Sequence, residues 1–291
     1  VMAAVEGFED VTQCRQAAIV EEIDRRADYV IAAHLGDLYL DDMGLSDTAT
    51  ETDVFAATLK KVHKPSGDWL LANLCAPQLN GAEPEAVLRD AVTGELARLE
   101  TIAEPDFRVK AFKVDQWCAR WTTVALRVYQ SAAFPRLPFY DTRLADFFLT
   151  VPTAYVAGRR LQLDYLRRYA PDLARVPWQA TGHDLFHNGR DGMTALGRRA
   201  VRKGWRQLTG RKTIERNWEV QFMDAAGRAG LEHHLLRPGM ALHEYVAPQA
   251  IGALLETFER DPYAAKRSYT VAMLLTFSAW LEWWAGGAPR P

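Results

Sequence analysis

The chain has few cysteines and no long apolar segment, and both features exclude classes of protein. Its three cysteines, Cys14, Cys75 and Cys118, lie far apart and form no CxxC pair. A disulfide framework and a cysteine-based zinc site are therefore not expected, and a reducing, cytoplasmic location fits best. The most apolar segment, Tyr269 to Trp284, is interrupted by Glu282 and is shorter than the roughly 18–20 residues that cross a membrane.

The chain also lacks an excess of charge of either sign. Its 35 Lys and Arg residues against 37 Asp and Glu residues give a net charge of -2, so no electrostatic attraction to nucleic acid or to an acidic membrane is expected. The basic segment from Arg190 to Arg216 is interpreted as a solvated face, because Trp205 is the only aromatic residue within it. His183 and His187 have the spacing of a helical metal-binding pair, but no third ligand accompanies them.

Hydrophobic patterning predicts a mainly helical chain with one αβ unit near its start. An amphipathic helix over Thr12–Ala27 is followed by the apolar run Tyr29–Ala33, which is typical of a buried strand in a parallel sheet. One strand cannot form a sheet, so its neighbours are either weak strands hidden in the pattern or strands upstream of residue 1. The only later strand candidate is Thr213–Phe222. The other predicted helices are Asp53–His63, Pro84–Ile102, Asp115–Phe134, Arg143–Thr150, Leu161–Tyr169, Gly192–Leu208, Pro248–Glu259 and Ala264–Trp284.

Three segments resemble the asparagine synthetase family, whose synthetase domain belongs to the ATP-pyrophosphatase superfamily. The segment Arg136–Asp141 (RLPFYD) is similar to the family pattern E-x-R-x-P-F-x-D, and Leu166-Arg167 and Val176-Pro177 follow it in the family's order. Tyr29–Gly44 resembles the family's strand and its G-x-G-[GS]-D-E turn. The final leucine-rich helix of many members is similar to the segment Met273–Leu281. Together these segments cover about half of the chain.

The resemblance implies that the chain is the C-terminal part of a synthetase domain. Residues 1–45 would be a truncated remnant of a parallel α/β nucleotide-binding core, and residues 46–291 would form the attached helical lobe. The family's phosphate-binding loop, S-G-G-x-D-S, is absent from the sequence, and its natural position lies before residue 1. The chain is therefore interpreted as a fragment that is inactive by itself.

The resemblance also implies a function and a set of cofactors, ATP and Mg²⁺. A family member adenylates a small carboxylate with MgATP, and ammonia from an upstream glutaminase domain then displaces AMP. Asp37 would bind Mg²⁺ and Gly36 would belong to the ATP-binding turn. His34 stands where many members carry a glutamate that acts on the ammonia-transfer step, and a histidine can carry a proton near neutral pH.

The signature segment has a structural role in the family. By resemblance, Arg136, Pro138, Phe139 and Asp141 would shape the joint between the core and the helical lobe. The arginine and the aspartate would make charged hydrogen bonds there.

Departures from the family pattern leave the catalytic role open. The family lysine that contacts the phosphates corresponds to Leu163, so Arg159 and Arg160, one helical turn away, are the candidate phosphate contacts. Leu38 replaces the acidic residue after the turn aspartate. Two hypotheses remain: a catalytic parent enzyme, or a degenerate family member that serves as a scaffold or binds a partner.

Overall fold

The described residues form two compact units. The computed structural model of the chain describes residues 17–64, 66–75, 79–178, 183–187, 222, 224–260 and 267–285. Unit 1 contains the described residues of Val1–Leu35, Met43–Asp141 and Arg216–Pro291. Unit 2 contains those of Gly36–Asp42 and Thr142–Glu215.

Helices dominate both units, which confirms the predicted mainly helical character. The π-helical segment Val114–Thr122 joins two of the α-helices into one long helix. Unit 2 contains the second helix and the eighth to the eleventh. In chain order the α-helices are α1 (Val20–Arg26), α2 (Gly36–Leu40), α3 (Glu51–Val62), α4 (Gly67–Asn73), α5 (Pro84–Ala97), α6 (Pro105–Lys113), α7 (Thr123–Gln130), α8 (Thr142–Leu149), α9 (Thr153–Val156), α10 (Arg160–Tyr169), α11 (Pro171–Ala174), α12 (Ala225–Leu235), α13 (Pro248–Arg260) and α14 (Arg267–Ala285).

A two-stranded parallel sheet lies in unit 1. Strand β1 (Tyr29–Ile31) pairs with β2 (Phe134–Arg136), and Val30 lies opposite Pro135. This confirms the predicted parallel pairing and identifies the neighbour of β1 as a weak strand hidden in the pattern. The prediction that the strand is buried is wrong: Tyr29 and Ile31 are 55% and 76% exposed, because a sheet of only two strands leaves these side chains uncovered. The prediction of a helix that runs as far as Phe134 is wrong, because α7 ends at Gln130.

The proline in β2 explains why the sequence pattern hid this strand. Proline has no backbone N–H and is tolerated only where that group would face away from the neighbouring strand. Ala32 N donates to Arg136 O and Phe134 N donates to Asp28 O, both at 2.9 Å. The backbone of Pro135 therefore points to the outer edge of β2, away from β1.

Helix α6, which the pattern did not predict, buries charged residues. Asp106, Arg108 and Lys110 are all buried, so this helix lacks the apolar stripe by which a buried helix is usually found. Each charge has a partner: Lys110 Nζ lies 3.1 Å from Asp106 Oδ2, and Arg108 pairs with Glu51. The other oxygen of Asp106, Oδ1, accepts from Met43 N at 2.7 Å and from the backbone N of residue 45 at 3.4 Å.

The largest apolar cluster of unit 1 is built on α12, α13 and α14. Phe258, Ile251 and Val271 are fully buried within it. Hydroxyls of α14 bond to the backbone of two other helices, since Thr270 Oγ1 donates to Ser66 O at the start of α4 and Ser278 Oγ donates to His234 O near the end of α12. Helix α14 therefore links α4 and α12. Its position agrees with the predicted helix Ala264–Trp284. Within the described residues, no helix combines the length and apolarity needed to cross a membrane.

Helix α3 begins with a capping box. Thr50 Oγ1 accepts from Asp53 N at 3.3 Å, and the Asp53 carboxylate accepts from Thr50 N at 2.8 Å. We expect Thr50→Ala to lower the free energy of unfolding by about 0.5–2 kcal/mol, because the backbone N–H of Asp53 loses its acceptor. Urea unfolding followed by circular dichroism measures this loss. Thr52→Ala, at an exposed position in the first turn of the same helix, is the control and should change little.

The same capping box makes a pH-dependent contribution to stability. The hydrogen bonds from the Thr50 side chain and then from its backbone hold the pKa of Asp53 below its usual range. A lowered folded-state pKa stabilises the protein above the unfolded aspartate value of about 3.9, and this stabilisation is lost as the pH falls through the folded value. The stability difference between wild type and Thr50→Ala should therefore be smaller at about pH 3 than at pH 7. A difference that grows on acidification would contradict the capping box.

Several sequence predictions lie outside the described residues. They are the helix Gly192–Leu208, all of the strand Thr213–Phe222 except its last residue, and the basic segment Arg190–Arg216. The predicted helix Thr12–Ala27 is described from residue 17 onwards, where α1 agrees with its second half.

Candidate functional site

The starts of two segments that carry the family resemblance are neighbours in unit 1. Strand β1 opens the segment Tyr29–Gly44, and Arg136, the last residue of β2, opens the signature Arg136–Asp141. Because the strands are parallel, their carboxyl ends lie at the same edge of the sheet. Ligand sites of α/β proteins form at such an edge. Beyond this edge the chain continues from β1 to His34, two residues after Ala32. It continues from β2 into Leu137–Asp141.

Arg136 is held by aromatic rings. Its guanidinium carbon lies 4.8 Å from the ring centroid of Tyr29 and 5.0 Å from that of Phe134. These rings are 55% and 61% exposed, so the cation–π contacts lie at the surface. Arg136 makes no ion pair with any described residue, which differs from the charged hydrogen bonds that the resemblance implies.

The rest of the signature forms a tight turn. Pro138 and Phe139 lie in a single 3₁₀ turn, Pro138–Tyr140, and Asp141 N donates to Pro138 O at 3.2 Å. Pro138 begins the turn because its fixed φ suits the first helical position and no N–H is needed there. The geometry of Pro138, Phe139 and Asp141 is therefore that of a structural corner.

The turn between β1 and α2 contains a strained residue. Leu35 has a φ of 70° and is buried, and a bulky side chain in the left-handed region costs energy. His34, before it, is half-buried. Gly36 is the buried first residue of α2, and Asp37 is exposed in the first turn of that helix. Strain of this kind between a strand and a helix often marks a functional turn.

Unit 2 contains a cluster that the sequence analysis did not anticipate. Asp41 Oδ2 accepts from Arg159 Nε at 2.9 Å, and Asp42 Oδ1 accepts from Gly158 N at 3.4 Å. We call Asp41, Asp42, Gly158 and Arg159 the aspartate clasp. Gly158 and Arg159 both have a positive φ, 62° and 63°. The left-handed conformation is easy for the glycine and strained for the arginine, so the clasp fixes an unfavourable turn just before α10.

The described residues fit a MgATP site in part. Magnesium in such sites takes one or two carboxylates, and phosphates and water supply its remaining ligands. The exposed carboxylate of Asp37 fits that role. The described residues contain no group of three side chains that could hold a metal ion without such help.

The two candidate phosphate contacts differ from each other. The charge of Arg159 is already paired with Asp41, as the clasp shows. Arg160 is exposed and makes no ion pair within the described part of the chain. Arg160 therefore fits as a phosphate contact, and Arg159 does so only if it leaves Asp41.

The histidine pair of the sequence analysis has a local role. Residues 183–187 form a turn and not a helix, so the two side chains do not have the expected helical spacing. His187 Nδ1 lies 2.7 Å from Asp184 Oδ1, and this hydrogen bond holds the pKa of Asp184 below its usual range. His183 O accepts from Trp178 N at 2.8 Å. These contacts stabilise a turn after α11.

Comparison with known proteins gives no evidence on the function. The chain matches no protein-family model, no curated protein and no solved structure. Its function is therefore inferred from the sheet edge in unit 1, from the turn His34–Asp37 and from the aspartate clasp in unit 2.

Proposed function

We propose that the chain is the C-terminal part of an asparagine-synthetase-like, ATP-dependent amidotransferase. The observation that carries this proposal is the parallel pairing of β1 with β2. Ile31 lies opposite Arg136, so the pairing joins two resembling segments that are distant in the sequence. Local patterning did not require that adjacency, because β2 was hidden by its proline. In this proposal residues 1–45 are the remnant of the nucleotide-binding core and residues 46–291 are the helical lobe.

The side chains of the candidate site have separate roles in this proposal. ATP, when bound, supplies the adenylyl group that turns a carboxylate oxygen into a good leaving group. Asp37 provides one oxygen ligand to Mg²⁺, and Arg160 provides positive charge to the phosphates. Gly36 keeps the turn free of a side chain. His34 holds or releases the proton that the attacking amine must lose.

The substrate and partner follow from the resemblance alone. The substrate is a small carboxylate, with the aspartate side chain as the family's usual acceptor, and ammonia comes from glutamine through an upstream glutaminase domain. The sequence contains no S-G-G-x-D-S loop, so this chain by itself is expected to be inactive.

A two-step assay tests the proposal on the longest reading frame that contains the chain. We expect carboxylate-dependent ATP–pyrophosphate exchange, which reports adenylation, and glutamine-dependent amide formation. His34→Gln should lower amide formation by about 10²–10⁴-fold and leave exchange largely intact, because proton transfer belongs to the second step. His233→Gln, at an exposed position on α12, is the matched control and should affect neither step. A protein that releases no AMP with any carboxylate and glutamine would overturn the proposal.

One observation favours the alternative, a degenerate member that binds a partner without catalysis. Leu163 replaces the family lysine, and Asp41 neutralises Arg159, one of the two candidate substitutes. A reading frame without a phosphate-binding loop, together with a lack of ATP binding, would support this alternative.

A further inference from the structure

We infer that Asp41 is an internal competitor of polyphosphate ligands for Arg159. This inference rests on the proposed function for the class of ligand, a di- or triphosphate. In the aspartate clasp the Asp41 carboxylate would occupy Arg159. An incoming polyphosphate would have to displace this carboxylate from the guanidinium.

The geometry of the ion pair leaves most of the guanidinium available. Only Nε of Arg159 donates to Asp41, and the two terminal nitrogens make no hydrogen bond to any described residue. The guanidinium carbon lies 6.0 Å from the ring centroid of Trp178. These free N–H groups give an anion a first contact with Arg159, but the positive charge stays shared with Asp41 until the Nε hydrogen bond breaks.

The exposure of the pair makes exchange of partners feasible. The side chains of Arg159 and Asp41 are 43% and 27% exposed, so solvent screens their attraction. A polyphosphate carries several negative charges and can accept two parallel hydrogen bonds from one guanidinium. The neighbouring Arg160, exposed and without an ion pair among the described residues, adds a second positive charge for the same ligand.

Asp42 supplies a matched comparison within the clasp. It has the same charge as Asp41 and follows it directly in the sequence. Its oxygen accepts from the backbone N–H of Gly158 and not from a cation. General electrostatic repulsion of an anion would depend on both carboxylates alike, whereas competition for Arg159 depends on Asp41 alone.

The test is the binding of inorganic pyrophosphate to the full chain by isothermal titration calorimetry at low ionic strength. We expect Asp41→Asn to tighten binding about fivefold, which corresponds to ~1 kcal/mol for a partly exposed pair. Asp42→Asn should change binding by less than about twofold. The gain should disappear in the double variant Asp41→Asn with Arg159→Gln. ATP as a second ligand should give the same order of variants, and adenosine should not bind more tightly to Asp41→Asn.

Several results would overturn the inference. They are an Asp41→Asn variant that binds pyrophosphate no better than wild type, a gain that survives Arg159→Gln, an equal gain in Asp42→Asn, or no binding by any variant. A purely structural role for Asp41 would weaken binding, so the sign of the change separates the two roles. Circular dichroism checks folding, and Asp41→Ser replaces Asp41→Asn if the latter does not fold.

Failure of this inference and failure of the proposed function give different results. If pyrophosphate binding follows the expected order of variants but the longer protein releases no AMP with a carboxylate, competition by Asp41 is supported and the amidotransferase proposal is rejected. If the longer protein releases AMP but Asp41→Asn binds pyrophosphate as wild type does, the amidotransferase proposal is supported and competition by Asp41 is rejected.

Discussion

Replacing Asp106 by alanine is expected to lower the free energy of unfolding by about 3–5 kcal/mol. The carboxylate is buried, pairs with Lys110 at 3.1 Å and accepts from the backbone N–H of Met43. Its removal leaves a buried ammonium without its partner and a backbone donor without its acceptor. Urea unfolding monitored by tryptophan fluorescence measures the change.

Two variants sharpen this result. Asp106→Asn keeps an acceptor for Met43 N and removes the charge that faces Lys110, so its loss should be large but smaller than that of alanine. Asp115→Ala, at an exposed aspartate farther along the same long helix, should change stability by about 0.5 kcal/mol or less. A loss at Asp106 no larger than that at Asp115 would contradict the buried network.

Phe258→Ala is expected to cost about 3–5 kcal/mol, the usual loss for a buried aromatic residue in a well-packed core. Phe258 is fully buried in the cluster of α12, α13 and α14, and its ring lies 6.5 Å from that of Phe222 in an edge-on arrangement. The substitution removes a large apolar surface and leaves a cavity that Ile251 and Leu254 cannot fill without moving. The midpoint of urea unfolding should fall accordingly.

The control for the core variant is the same substitution at an exposed site. Phe147 is 55% exposed, and Phe147→Ala should cost much less than Phe258→Ala. Equal losses at the two positions would contradict the burial of Phe258 in a well-packed core.

Patterned helices were predictable from the sequence, and helices with unusual burial were not. The predicted Asp53–His63 and Pro248–Glu259 lie within two residues of α3 and α13 at both ends, because both helices have a clear apolar face. Helix α6 was missed since it turns Asp106 and Lys110 inwards, against the rule that charges face water. A local sequence pattern gives no information on the long-range hydrogen bonds that stabilise these buried charges.

The sequence pointed to single residues of the candidate site only where the family motif assigns a role to that residue. The turn from His34 to Asp37 was identified through its resemblance to a ligand-binding turn. Asp41 was missed because its partner, Arg159, is distant in the sequence and no local pattern joins them. One signal was present: the acidic doublet Asp41-Asp42 and the basic doublet Arg159-Arg160 are complementary in charge.

Pro135 has a consequence for how the small sheet could grow. The outward backbone of β2 offers no N–H donor at Pro135, whereas the outward groups of β1, at Tyr29 and Ile31, face no other strand among the described residues. Edge-to-edge stacking of many copies needs two open edges on every molecule. Because Pro135 blocks one edge, the sheet can add a strand only at its other edge. Association of copies through this sheet should therefore end at a dimer and not continue into a fibre.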